Sequence, residues 1–272
     1  AARAAGVGSA DSGRSGSVTL GGVFSAAVRS TVVVPTYEEA QNIEALCRGI
    51  RTALPEASIL IIDDGGSDGT ADIAEALTAE PGRTAVVRRA EKSGLGSAYR
   101  DGFRRALDAG AEICVQMDAD LSHPAEALPA LVANVEHGAD LAIGSRYVPG
   151  GRTLNWPRRR VWLSRWGNRY AAGVLGLAVN DATAGFRAYR ADVLRRIDFE
   201  SVGADGYGFQ VEMTYRLVSA RARIVEFPIT FVDRAAGNSK ISGGIVREAL
   251  VLVARLWIGD FLGRRGRRRA GY

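Results

Sequence analysis

From Thr31 onward, short apolar runs alternate with stretches in which apolar residues return every three or four positions. The spacing predicts a strand over Thr31 to Pro35 and a helix over Ala40 to Arg51. A second strand is expected over Ser58 to Asp63, then a helix from Asp68 that Ser67 is placed to cap. Thr84 to Arg88 reads as a third strand, followed by a helix from Ser97 to Ala109 closed by Gly110. Glu112 to Met117 and Asp140 to Gly144 complete the series of strands. Runs this short and this continuously apolar suit a parallel sheet covered on both faces. The expected class is α/β: a doubly wound, Rossmann-like, mostly parallel sheet with helices on both faces.

The second half is less regular. A loop rich in Gly, Pro and Arg covers Val148 to Arg160, and a helix is expected from Trp162 to Leu175. Phe186 to Tyr189 and Arg223 to Val232 read as strands flanking a helix from Tyr207 to Ala220. A last helix is expected over Ile245 to Leu262, with Leu250, Val253, Trp257 and Phe261 on one stripe. That stripe suits either a core-packing or an interfacial helix. Residues 1–29, rich in Gly, Ala and Ser, read as a tail or linker. The chain thus divides into that tail, a folded domain over 30–243, and a C-terminal amphipathic helix with a basic tail over 244–272. It opens on Ala1 rather than Met, which fits an upstream membrane module, fused or separate, as well as it fits processing.

Composition narrows the picture. With 272 residues, 47% of them hydrophobic, the chain can bury one sizeable core. Cys47 and Cys114 fall on a helix pattern and a strand pattern and read as core residues of a reducing compartment. There is no Cys-x-x-Cys or Cys/His cluster to hold zinc. The net charge of +5 is concentrated in Arg158, Arg159 and Arg160 and in Arg264, Arg265, Arg267, Arg268 and Arg269. Aromatic residues do not interleave with these arginines, which argues against nucleic acid. An anionic membrane surface would attract each by about 1 kcal/mol, and a solvated tail is the plain alternative. Arg247, Glu248, Arg255 and Asp260 interrupt Ile245 to Leu262, so that stretch falls short of the ~20 apolar residues a membrane span needs. Val18 to Val28 imitates a signal-peptide core, but a strand of the folded domain follows almost at once.

Candidate chemistry gathers at strand ends. After Ile113 to Gln116 comes Met117-Asp118-Ala119-Asp120-Leu121-Ser122-His123-Pro124, with two carboxylates on one side of an extended chain. Open α/β sheets bind ligands at such tips. Two buried like charges need a cation beside them, and a hard divalent metal carrying a nucleotide diphosphate suits them. The first strand ends in Pro35-Thr36-Tyr37-Glu38-Glu39, able to hold a base and ribose or simply to favour a helix dipole. The second ends in Asp63-Asp64-Gly65-Gly66-Ser67-Asp68, where an acid can accept hydrogen bonds from a nucleotide. Gly94-Leu95-Gly96 follows the third strand and carries little of a dinucleotide fingerprint. Lys92 beside it suits a phosphate contact or plain solvation.

The segments VVVPTYEE, IIDDGGSDGT, EKSGLGSAYRDGF, MDADLSHP, GSRYVPGG, DATAGFRAY, GYGFQVEM and RAAGNSK stand in the order seen in family-2 glycosyltransferases. More narrowly, residues 31–242 resemble dolichol- or polyprenol-phosphate mannose synthases. The resemblance implies a GT-A fold with a smaller acceptor-side region, a GDP-mannose donor, a divalent metal (Mg2+ or Mn2+) and a polyprenyl phosphate acceptor. It implies guanosine contacts from Pro35, Tyr37, Glu39, Ile62 and Asp64, and metal and diphosphate contacts from Asp118, Ala119 and Asp120. Arg146, Arg234 and Lys240 would contact the donor phosphates or the incoming phosphate. Ser122 stands where many relatives carry Gln, so a water would intervene between it and the metal. Gly66-Ser67 replaces the commoner Ser-Pro. The Q-x-x-R-W signature of processive synthases is absent. The expected enzyme is inverting and lies peripherally on the cytoplasmic face of the membrane. Glucosyl transfer from UDP-glucose and a non-catalytic nucleotide-binding subunit are the competing readings.

Overall fold

In the computed structural model, which describes residues 30–77, 84–233 and 250–258, the apolar runs are strands and the amphipathic stretches are helices. The order is β1 (Ser30–Thr36), α1 (Ile43–Ala53), β2 (Ser58–Asp63), α2 (Thr70–Ala76), β3 (Thr84–Arg88), α3 (Leu95–Asp108), β4 (Ile113–Gln116) and α4 (Leu128–Glu136). Then come β5 (Leu141–Ser145), β6 (Arg152–Leu154), α5 (Arg158–Leu175), β7 (Arg187–Arg190), α6 (Ala191–Arg196), α7 (Gly206–Ser219), β8 (Ile224–Pro228) and β9 (Thr230–Val232). Residues 250–258 are helical.

Seven strands form one sheet in the order β3-β2-β1-β4-β7-β5-β8, parallel except for β7. Alternation along each strand explains the unbroken apolar runs. Val32 and Val34 join one core with α1 and α4, while Val33 joins the other with α3 and α7. Cys47 and Cys114 are free and buried, and burial pushes their thiols up to about 11 and about 12.

Several expectations change at their edges. Ser67 does not cap α2. Gly69 precedes the helix in a left-handed conformation, so the helix starts at Thr70, and Asp68 Oδ1 accepts the Thr70 N–H at 3.0 Å. The first helix begins at Ile43 because Glu39 O accepts from both Asn42 and Ile43 and holds residues 40–42 in a turn. The Gly/Pro/Arg loop contains β6, and α5 starts at Arg158 behind Pro157. The strand expected over Arg223 to Val232 splits after Pro228: β8 pairs with β5, and β9 turns onto β6. In the last helix Val253 enters the core, whereas Trp257 is 51% exposed. Residues 1–29, Phe261 and Arg264 to Arg269 lie outside the described residues.

The strand order reverses between β1 and β4, and ligand crevices of open sheets form outside the carboxyl ends of such a pair. Since β7 is antiparallel, the residues that precede it, not those that follow, reach the same edge.

Candidate active site

Past the end of β4 the chain stays extended long enough to sort its side chains. Met117 and Ala119 turn into the core, while Asp118 and Asp120 line a cavity of about 710 Å³. Leu121 then takes φ +59, uncommon for a branched residue, and the turn lets Asp120 Oδ1 accept the Ser122 N–H at 3.1 Å. Asp118 is held from three sides. Tyr99 Oη donates to its Oδ1 at 2.7 Å. His123 Nδ1 accepts the Asp118 N–H at 3.3 Å, so its proton sits on Nε2, 3.9 Å from Oδ2. On the third side Gly185 lies so close that a Cβ there would be 3.0 Å from Oδ2.

These donors suit a hard divalent cation. Ser122 Oγ is buried and has no hydrogen-bond partner among the described residues, which leaves it available beside two carboxylates. No three acidic, His or Cys side chains converge among the described residues. A cation here therefore takes few protein ligands and leaves positions for water and phosphate, as Mg2+ and Mn2+ do.

The cavity wall comes from the second half. Arg146, which follows β5, is buried against Asp181, with Nε and Nη2 at 2.7 and 2.6 Å from its two oxygens. Burial alone would raise the Asp181 carboxyl, but the Arg146 charge and hydrogen bonds outweigh it and hold it below its ordinary value. Arg146 thus spends two of its three nitrogens inside the wall while still lining the cavity. At the mouth Arg160 reaches Asp233 at 2.9 Å and stacks on Trp156 at 3.9 Å. Arg160 Nε and Trp156 Nε1 are buried donors without partners among the described residues.

Around the ends of β1 and β2 lie the residues expected to meet a nucleoside. Tyr37 is exposed under Lys92, whose Nζ sits 3.6 Å above the ring. Pro35 is half-buried beside it. Asp64 binds Arg89 at 2.8 Å and the Ser93 N–H at 3.3 Å; burial pushes its carboxyl up and Arg89 only partly offsets this. Glu39 accepts from Asn42 at 2.7 Å and helps to open α1. The Ile62 side chain is fully buried in the core, which leaves its backbone for a ligand. Ala119 likewise faces the core. Arg234 and Lys240 lie outside the described residues.

Four contributors escaped the residue-by-residue reading: Tyr99, Asp181, Gly185 and Gln210. Their only trace was their place in the resembling segments. The Gly-x-Gly stretch has a local reason instead. Asp205 Oδ1 accepts the Gly96 N–H, and a Cβ on Gly94 (φ +90) would collide with the same carboxylate.

A second, apolar cavity of about 110 Å³ opens beside the first, between α5, α7 and residues 250–253. Leu163, Trp166, Tyr170, Val211, Leu250 and Val253 line it, and Arg146, Trp156, Thr183, Tyr207 and Leu252 line both.

Comparison with known proteins places this geometry. Residues 31–198 match the model of glycosyl transferase family 2. The chain is 49% identical over 228 residues to an undecaprenyl-phosphate mannosyltransferase of Micrococcus luteus, covering 84% of this chain and 93% of that one. It is 47% identical over 227 residues to a polyprenol monophosphomannose synthase of Mycolicibacterium smegmatis, covering 83% and 86%. A dolichol-phosphate mannosyltransferase of Pyrococcus furiosus is 34% identical over 241 residues, 86% of this chain and 65% of that one. The fold is shared with glucosyl-3-phosphoglycerate synthase from Mycobacterium tuberculosis, solved with Mn2+, UDP-glucose and phosphoglyceric acid (TM-score 0.60, 21% identity, 85% and 80% covered).

Proposed function

The chain belongs to glycosyl transferase family 2, on its polyprenyl-phosphate mannosyltransferase side, and on that premise we propose that it transfers mannose from GDP-mannose to a polyprenyl monophosphate with inversion at the anomeric carbon. The carrying observation is the junction of two unlike cavities, one lined by Asp118 and Asp120 and one almost wholly apolar. An acceptor with an anionic head and a hydrocarbon tail fits that pair; a water-soluble acceptor would leave the apolar cavity without purpose.

Asp118 and Asp120, with Ser122 Oγ directly or through water, would hold Mg2+ or Mn2+. When bound, such an ion neutralises charge on a departing diphosphate. Pro35, Tyr37, Glu39, Asp64 and Lys92 would surround the nucleoside. Arg160 Nε and Trp156 Nε1 offer hydrogens to the acceptor phosphate from the wall of the larger cavity, and Arg234 and Lys240 follow Asp233, the ion-pair partner of Arg160, in sequence. A phosphate monoester has a second pKa of about 6, so its dianion is already a nucleophile and no general base is assigned. One phosphate oxygen bonds to the anomeric carbon while the bond from that carbon to the diphosphate oxygen breaks. The electron pair leaves with GDP.

Among the described residues no helix is long and apolar enough to cross a membrane. The elements lining the apolar cavity expose Trp162 on α5 and Trp257 on the C-terminal helix, which suits contact with a lipid surface. Peripheral attachment there would bring the apolar cavity to the acceptor.

The test is incubation of the full chain with labelled GDP-mannose, Mg2+ or Mn2+ and a short prenyl phosphate, with mass spectrometry of the lipid product. The expected product is a β-linked mannosyl phosphoprenol formed only with metal. Product from UDP-glucose alone would overturn the donor, and no product on any prenyl phosphate would overturn the acceptor.

A further inference from the structure

The polar side chains that build the cavity wall mostly find their partners within the protein. Arg146 is matched by Asp181, Glu212 by Arg216 and the Ala204 N–H, and Asp205 by the Gly96 N–H. Gln210, on α7, differs. It lines the cavity, is 2% exposed, and its side-chain carbonyl Oε1 has no hydrogen-bond partner among the described residues. An amide carbonyl withdrawn from water and left unmatched is strongly unfavourable unless a ligand supplies the donor.

The position of Gln210 is fixed rather than slack. Its backbone carbonyl accepts Arg187 Nη1 at 3.2 Å and Thr214 Oγ1 at 2.8 Å. The same fully buried guanidinium binds Ala182 O at 2.6 Å and Ala184 O at 2.7 Å. Arg187 therefore ties α7 to the loop that sets Gly185 against Asp118, so Gln210 keeps a set position relative to the aspartate.

We infer that Gln210 accepts a hydrogen bond from a hydroxyl group of the transferred sugar. The inference rests on the nucleotide-sugar reading above and deepens it. The chemistry of the two substrates leaves few other donors. A diphosphate and a phosphate dianion present only acceptor oxygens, which a carbonyl repels. A prenyl chain has no donor. The nucleoside has them, but its expected residues at the ends of β1 and β2 do not line this cavity. Sugar hydroxyls remain. A buried amide that must be matched also discriminates, because a donor lacking that hydroxyl strands it.

The test compares GDP with GDP-mannose by titration calorimetry, with Mg2+ present, on the wild type and on Gln210→Met, which nearly conserves volume. GDP should bind the two proteins within about twofold, whereas GDP-mannose should bind the variant about tenfold more weakly or worse. Wild type is also titrated with the 2-, 3-, 4- and 6-deoxymannosyl donors. One of them should bind about tenfold more weakly, and that penalty should vanish in Gln210→Met. Equal losses for GDP and GDP-mannose, no loss for either, or full affinity for every deoxy donor would each overturn the inference. If Gln210→Met does not fold, the deoxy series on wild type decides it: an affinity loss of about tenfold for one deoxy donor supports the inference, and full affinity for every one overturns it. If wild type prefers UDP-glucose, the mannose reading fails by itself, and the comparison of UDP with UDP-glucose then decides the role of Gln210.

Discussion

Tyr99 donates its phenolic hydrogen to Asp118 Oδ1 at 2.7 Å from a site with no solvent access. The ring is stacked against Phe103 and Phe209, with centroids 5.8 and 6.0 Å away, so the hydroxyl has one place to be. Burial, reinforced by the adjacent carboxylate, raises the phenol well above its ordinary value and keeps it a donor. Tyr99→Phe keeps the packing and removes the bond. The Mn2+ concentration giving half-maximal transfer should rise about 10- to 100-fold, as for loss of other groups that orient a metal ligand. An unchanged Mn2+ requirement would show that Tyr99 only fills space.

Asp118→Ala and Asp120→Ala should reduce transfer to background, because each removes a negative ligand beside the cation. Ser122→Ala should raise the metal requirement by less than about tenfold if a water stands between the hydroxyl and the ion. Wild-type turnover in either aspartate variant, after metal is stripped and re-added, would refute the site.

Gly185→Ala introduces a methyl 3.0 Å from Asp118 Oδ2 and should lower kcat by about tenfold or more while barely moving the melting temperature. Gly173→Ala is its control. On α5 a Cβ there meets nothing within 4 Å, so the change should stabilise the protein by roughly 0.5–1 kcal/mol with activity intact. Equal activity in the two variants would remove Gly185 from the site.

Arg146→Met leaves Asp181 buried without its cation and should destabilise the fold by about 3–5 kcal/mol at neutral pH. The sign with pH then reverses. In wild type the carboxyl is held below its unfolded value, so its contribution is present above that value and fades as pH falls through the lower, folded one. In the variant only the main-chain N–H of residue 146 and the Arg187 charge oppose burial, the largest influence, so the carboxyl rises and stability should recover as pH falls through the raised value. Urea titrations at pH 5 and 7.5 check this. A loss of the same size at both would place the damage elsewhere.

Trp162→Ser with Trp257→Ser should weaken sedimentation with anionic vesicles, since these two side chains are 67% and 51% exposed. Replacing Arg264, Arg265, Arg267, Arg268 and Arg269 with Gln should add to the loss at low salt and leave turnover on a soluble, short-chain acceptor nearly intact. Full vesicle binding in both variants would mean that the protein meets its lipid by another surface.

Periodicity sufficed for the sheet because each strand of the first half is buried on both faces and carries its signal locally. Asp118 and Asp120 were legible for a similar reason: a strand tip and an x-spaced acid pair lie within one short window. Gly185, Asp181 and Gln210 offer no such window. Gly185 reaches Asp118, and Asp181 and Gln210 reach the same cavity wall, only through the antiparallel pairing of β7 with β4 and the hold of Arg187 on α7. Ser67 misled because a good cap residue is idle when a left-handed glycine delays the helix.

The antiparallel strand has one more consequence. Phe186 and Ala188 enter one core and Tyr189 the other, while Gly185 presses on Asp118 from the residue just before them. A single insertion or deletion ahead of β7 would swap the two faces and withdraw Gly185 in the same stroke. In that stretch chain length itself is a chemical variable: the number of residues between Asp181 and Arg187, as much as their identity, sets how Gly185 bears on the Asp118 carboxylate.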